Sequence, residues 1–245
     1  MLLRYKKSKK FQQKGDCKMI AHRGLSGIKR ENTVAAFDLA GEHSYFGIET
    51  DVHVTSDNKY VIIHDSFTSR VSATSYLVEK TPLDTLRKVK LYAKSKEGGE
   101  KETRIPTLEE YVLSLKEHGK VGVLEMKNHF EEQEVWDMCA EIERLGYMDH
   151  IIFISFYLEN LVALRKKYPL QPAQYLTLHY NKNVLKTLIE HKLDIDINFR
   201  ALRPKAVREM HENGIKVNCW TVDWKPVARW LVKMGVDYIT TNILE

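Results

Sequence analysis

Several things are missing from this sequence of 245 residues, and each absence narrows its class. No stretch approaches the roughly 18 consecutive apolar residues that would cross a bilayer, which excludes a transmembrane helix and stable membrane insertion. Cysteine is scarce: Cys17, Cys139 and Cys219 are odd in number and lack metal-type spacing. A disulfide framework is therefore set aside, and a reducing, cytoplasmic setting is expected. No Gly-x-Gly-x-x-Gly turn follows the first strand-like run, which disfavours a doubly wound dinucleotide-binding sheet. The start also lacks the apolar stretch of about 7–15 residues that a secretory signal carries.

A true charge excess is missing as well. The chain totals +5, but residues 1–18 hold seven Lys and Arg against Asp16, a net of +6 that leaves −1 for everything else. The folded part is nearly neutral and gives no argument for nucleic-acid binding. Residues 1–18 are expected to form a mobile basic arm, with weak attraction to an anionic membrane or nucleic acid as its other reading. Residues 19–245 are expected to form one domain.

What is present is a rhythm. Strand-like runs occur at 19–21, 46–52, 121–126, 150–155, 173–177, 194–197, 217–220 and 238–240. Helix-like stretches separate them at 33–42, 108–117, 131–145, 158–167, 183–191, 205–212 and 225–233. Gly146 and Gly214 stand where helices stop, and Pro204 and Pro226 where they start. Strands alternating with helices imply right-handed parallel βαβ units, and eight of them imply a (β/α)8 TIM barrel. A hairpin and a small insertion over 68–106 follow the second strand; the insertion covers substrate or is a surface excursion.

The hairpin holds the densest chemistry. Runs 48–55 and 60–64 flank Ser56–Lys59, which predicts a two-residue turn at Asp57-Asn58 and places Asp51 opposite His64. Alternation then gives Glu49, Asp51 and His64 one face and Val52, Val54, Val61 and Ile63 the other. Strand ends are where such barrels carry chemistry, and here they read His22-Arg23-Gly24, Glu49-x-Asp51, Glu125-x-Lys127 and Trp220-Thr221. Carboxylates from two neighbouring strands suit one hard divalent cation, Mg2+ or Ca2+. Arg23 and Lys127 offer positive charge to an anionic substrate, and His22 and His64 can move protons near neutral pH. Asn32 is an acceptable N-cap for the helix beginning at Thr33, or a substrate contact.

Taken in order, His22-Arg23-Gly24, Glu31-Asn32-Thr33, Glu49-x-Asp51, His64-Asp65, Glu125-x-Lys127 and Trp220-Thr221 resemble the glycerophosphodiester phosphodiesterases over residues 19–245. The resemblance implies metal-dependent hydrolysis of a small-molecule glycerophosphodiester, such as glycerophosphocholine or glycerophosphoethanolamine, to glycerol phosphate and an alcohol. It implies Glu49, Asp51 and Glu125 as metal ligands and His22 and His64 as the acid–base pair. Arg23 and Lys127 then contact phosphate and Trp220 packs on the glycerol carbons. A cyclic phosphate formed by attack of a glycerol hydroxyl is the implied intermediate, with the roles of the two histidines open. Alternatives are a lysophospholipase D-type enzyme of the same fold, a silent phosphodiester-binding barrel and a scaffold. Two positions depart from the family pattern: Arg30 stands where Pro is usual, and Asn242 where Asp is usual.

Overall fold

The computed structural model describes residues 7–12, 14–94 and 99–245. Eight parallel strands close on themselves: β1 (Lys18–Ala21), β2 (Gly47–Val54), β4 (Val121–Met126), β5 (Ile151–Ser155), β6 (Ala173–Thr177), β7 (Asp194–Asn198), β8 (Val217–Trp220) and β9 (Tyr238–Thr241). Pairing of β1 with both β9 and β2 seals the ring. The short β3 (Tyr60–Ile62) adds antiparallel to β2 as the second arm of the hairpin. Helices α1 (Val34–Gly41), α4 (Leu108–His118), α5 (Glu132–Arg144), α6 (Leu158–Lys167), α7 (Lys182–His191), α8 (Pro204–Glu212) and α9 (Lys225–Met234) form the connections between successive barrel strands. Two short helices, α2 (Leu83–Leu86) and α3 (Gly99–Thr103), belong to the insertion. The expected barrel is therefore present, with strand and helix ends mostly within two residues of those read from periodicity. No helix among the described residues is long and apolar enough to cross a membrane.

Alternation along each strand sorts the apolar residues into two shells. Ile20, Val123, Ile152, Ile154 and Leu176 fill the barrel interior, while Ala21, Ile48, Leu124, Phe153 and Ile195 face the helices. Helix ends are fixed locally. Thr107 and Glu110 form a reciprocal capping box at the start of α4, and Gly119 closes its end at φ +61°.

The hairpin departs from its expected register. Val54 pairs with Tyr60 and Val52 with Ile62, so the loop has three residues beyond the Thr55–Lys59 pair and Asp51 faces Ile63 rather than His64. The cause is Asn58 at φ +55°, which with the Thr55 hydroxyl accepting from the Lys59 N–H makes a turn one residue longer. One extra residue exchanges the faces of the returning strand. Val52 and Val54 thus pack with Tyr60 and Ile62 in the main core, and Val61 and Ile63 do not share their face. They anchor a separate apolar group with Val71, Val78, Leu86, Val89, Leu91 and Ile105, so the insertion has a small core of its own.

The basic arm is docked where it is described. Lys9 donates to the Ile243 carbonyl, Phe11 to that of Glu245, and the Phe11 ring is buried. Apolar burial at Phe11 and main-chain pairing hold a segment that composition alone reads as solvated. Residues 1–6 and 13 of the arm, and 95–98 of the insertion, lie outside the described residues.

Candidate active site

Strand ends deliver the charged residues to one cavity at the C-terminal face of the barrel. His22 and Arg23 follow β1, Glu49 lies on β2, His64 follows β3, Glu125 is next to last in β4 with Lys127 just beyond its end, and Trp220 ends β8; all seven line it. Asp51 lies directly behind, fully buried, with one carboxylate oxygen each from Glu49, Asp51 and Glu125 mutually within 4.8 Å. Side by side in the sheet, Asp51 and Glu125 are register partners. Ile154, Phe156, Leu176, Asp196 and Thr240 complete the wall. His64 arrives despite the register change because β3 ends at Ile62, freeing the following residues from the pleat.

Three buried carboxyl groups this close cannot all ionise unaided. Burial and the charge of Asp51 push Glu49 well above the usual carboxylate range, and the same two causes raise Glu125 to about 7. Burial alone would raise Asp51 too, but the Arg23 guanidinium at 3.3 Å and the Lys127 ammonium at 3.4 Å outweigh it and hold it well below. Asp51 Oδ1 is also buried and makes no hydrogen bond, its neighbour being the Lys127 ammonium at 3.4 Å. A buried all-oxygen trio with three carboxyl groups against two cations fits a hard divalent cation.

The approach of the β1 loop to this trio depends on unusual backbone. Arg23 sits at φ +56°, which aims its N–H at Glu49 Oε2, 2.8 Å away. Gly24 follows at φ +73°, and a Cβ there would lie 2.6–2.7 Å from the main chain and Cβ of Ala36. Gly24→Ala is expected to cost about 2–5 kcal/mol, adding left-handed strain to overpacking against atoms that α1 holds fixed. Urea unfolding measures this; a loss under about 1 kcal/mol would mean that the loop relaxes freely.

Several residues that hold the site were not read as such from the sequence. Asn32 does not cap α1: Thr33 accepts the Ala36 N–H, while Asn32, at φ +53°, donates to Asp51 Oδ2 at 2.7 Å and accepts from Thr50. Arg70 of the insertion forks onto both oxygens of Glu31 and also bonds Asp65. Burial would raise Glu31, yet Arg70 and Arg23 together bring it down to about 2. His53, buried, donates to the His64 carbonyl at 3.3 Å and lies 3.2 Å from Glu79. Arg30 turns from the pocket: its N–H donates to buried Glu102 and its side chain to the Tyr92 carbonyl. A proline at position 30 would have no N–H for Glu102.

The two histidines have different partners. His22 Nδ1 lies 2.8 Å from Asn242 Oδ1. The Asn242 amide nitrogen donates to Asp223 at 2.7 Å, and a carboxylate only accepts, so the amide oxygen must face His22. His22 therefore carries its proton on Nδ1 and presents a bare Nε2 beside Glu49, 3.9 Å away. Burial and the Arg23 charge lower its pKa to about 4, keeping the ring neutral. His64 Nδ1 instead meets a carboxylate, Asp65 Oδ1, at 2.5 Å. Burial lowers His64 as well, against the opposing pull of Asp51 and Asp65.

A larger cleft on the outer surface, lined by Asp38, Arg87, Lys101 and Glu117 among others, is remote from these groups. Asp38 there already accepts from Lys101 and Ser114.

Comparison with known proteins identifies the family. The sequence profile of the glycerophosphoryl diester phosphodiesterase family matches residues 22–245. The chain is 32% identical to YhdW of Bacillus subtilis, over 91% of this chain and 93% of that one. It is 30% identical to the glycerophosphodiester phosphodiesterase of Caldanaerobacter subterraneus, with the same coverage of 91% and 93%. Among solved structures it is similar to a phosphodiesterase from Oleispira antarctica in complex with its product sn-glycerol-3-phosphate. That match has a TM-score of 0.81 and 26% identity and covers 92% of each chain.

Proposed function

Because this chain belongs to the glycerophosphoryl diester phosphodiesterase family and is a phosphoric diester hydrolase, we propose that it hydrolyses small glycerophosphodiesters to glycerol phosphate and an alcohol. Glycerophosphocholine and glycerophosphoethanolamine are the substrates in view. The observation that carries the reading is the pair of differently partnered histidines beside three converging carboxylates.

Glu49, Asp51 and Glu125 would hold one divalent cation, Mg2+ or Ca2+, which when bound supplies Lewis-acid polarisation of the phosphoryl oxygens. Arg23 and Lys127 both line the cavity, so the negative charge on the phosphoryl oxygens meets fixed cations. His22, neutral and bare at Nε2, takes the proton from the attacking glycerol hydroxyl. His64 gives a proton to the departing alcohol oxygen, its imidazolium supported by Asp65 as the latter is by Arg70. The resulting cyclic phosphate is opened by water with the two roles reversed. Asn32 and Glu31 keep the acidic trio and Arg23 in place.

Glycerol phosphate release from a panel of soluble glycerophosphodiesters and lysophospholipids, in Mg2+, Ca2+ or EDTA, tests this. Turnover of the soluble diesters that EDTA abolishes is expected. Measurable cation binding without release from any diester would overturn it in favour of a silent binder, and release confined to lysolipids would overturn the substrate class.

A further inference from the structure

The rim of the barrel mouth carries side chains that the proton transfers inside it do not use. Four neighbouring strands, β5 to β8, end at this face and lead into short loops. Phe156 and Tyr157 follow β5, Leu178 follows β6, and Trp224 stands four residues past β8. All are exposed, Leu178 by 50% and Trp224 by 70%. Single exposed apolar residues are ordinary, and Leu113, Leu170, Ile189 and Trp230 are of that kind, each on a different element. The loops after β5 to β8 instead gather theirs on one arc, because parallel strands end side by side.

Charge on the same arc is mostly of one sign. Lys182, Arg200, Arg203 and Lys225 stand in or beside these loops, against Glu159 and Asp223. Asp223 already accepts from Thr241 and Asn242. Among the described residues Lys182, Arg200 and Lys225 form no ion pair, and the Arg200 guanidinium lies over the Phe199 ring, 5.5 Å from its centre. Apolar and basic positions therefore interleave: an aromatic pair at β5, leucine then lysine at β6, arginine at β7, tryptophan then lysine at β8. A protein partner calls for an apolar centre inside a polar rim. Interleaving of the two suits the head-group layer of a bilayer, where aromatic rings settle beside anionic phosphates.

We propose that this arc is a peripheral docking surface for an anionic lipid bilayer. Tyr157, Leu178 and Trp224 enter the head-group layer, and the basic side chains meet lipid phosphates. Docking of this kind is reversible and needs no membrane-spanning segment. The basic arm joins β1 at the opposite end of the barrel, so attachment through it predicts a different set of sensitive residues.

The test is sedimentation of the full chain with vesicles of phosphatidylcholine alone or mixed with phosphatidylglycerol. Binding to the mixed vesicles, weakened by salt and far stronger than to the neutral ones, is expected. Trp224→Ser and Arg200→Glu should each weaken it by about 10-fold at an unchanged melting temperature. Trp224→Phe should bind like the natural chain but lose most of the quenching of tryptophan fluorescence by brominated acyl chains. No binding to either vesicle overturns the proposal. So does binding that Trp224→Ser or Arg200→Glu leaves intact, and if both leave it intact the attraction belongs to the arm. A dimer of the natural chain in ultracentrifugation, dissociated by Trp224→Ser, would overturn it in favour of a second copy on this face. Binding is read without turnover, so failure of the phosphodiesterase reading would leave the result untouched.

Discussion

Exchange of His22 or of His64 for alanine is expected to lower kcat by about 10^2–10^4-fold while leaving the fold and cation affinity intact. Neither ring carries the architecture. Asn242 stays anchored by Asp223 when His22 is removed, and Asp65 stays paired with Arg70 when His64 is removed. The two losses should also differ in kind. A diester with a nitrophenol leaving group departs without needing a proton, so it should restore much of the turnover of His64→Ala and none of that of His22→Ala. Equal rescue of both would overturn the assignment of His22 as base and His64 as acid. Activity within a few-fold of the natural protein in either variant would remove that residue from the mechanism.

The second large effect concerns the carboxylate trio. Glu49→Gln should raise the cation concentration needed for half-maximal activity by at least about 10–100-fold, the range already seen when groups outside a ligand shell are lost. Its effect on the cation-free protein should have the opposite sign. Glu49 has a folded-state pKa raised above the ordinary 4.5, through burial first and Asp51 second. A raised carboxyl pKa costs nothing below its unfolded value and destabilises increasingly as pH climbs above it, because folding then requires proton uptake. In EDTA, Glu49→Gln should therefore match the natural protein near pH 4 and exceed its melting temperature by a margin that grows towards neutral pH. The amide still offers an oxygen to the Arg23 N–H, so that bond is kept. Added Mg2+ or Ca2+ should raise the melting temperature of the natural protein far more than that of the variant. An unchanged cation titration would sink the ligand assignment, and a pH-independent gap would show that Glu49 is not strained.

Most of the barrel was legible because its signals are local. Runs such as 121–126 and 173–177 declare strands by composition, and prolines and glycines mark helix ends, so β4, β6 and α6 coincide with their expected bounds. The residues gathered at the cavity were legible for a similar reason: most stand at or just past the end of a strand, and Glu49, inside β2, shares the inward face with Asp51 through simple alternation. What could not be read depends on conformation or on distant partners. The hairpin register turned on one left-handed residue, Asn58, in a stretch whose composition also suits a shorter turn. Asn32 and Thr33 are both good caps in isolation, and only the proximity of Asp51 decides between them. Arg70 lies 39 positions from Glu31, and Asn242 lies 220 from His22; no spacing rule joins such pairs.

The insertion packs its apolar residues on Val61 and Ile63, outside the ring of eight strands. Its interior can therefore be rewritten over generations without altering barrel register, as long as that small core stays filled. Among the described residues several contacts tie this segment to the chemistry: Arg70 reaches Asp65 and Glu31 at once, Glu79 meets His53 behind the His64 carbonyl, and Glu102 accepts from the Arg30 N–H. Variation at position 70 is then felt at both the histidine loop and the arginine loop, and variation at positions 79 and 102 at one of them each. The segment thus has a core that can drift and a few polar side chains, at positions 70, 79 and 102, that cannot drift without being felt at the site.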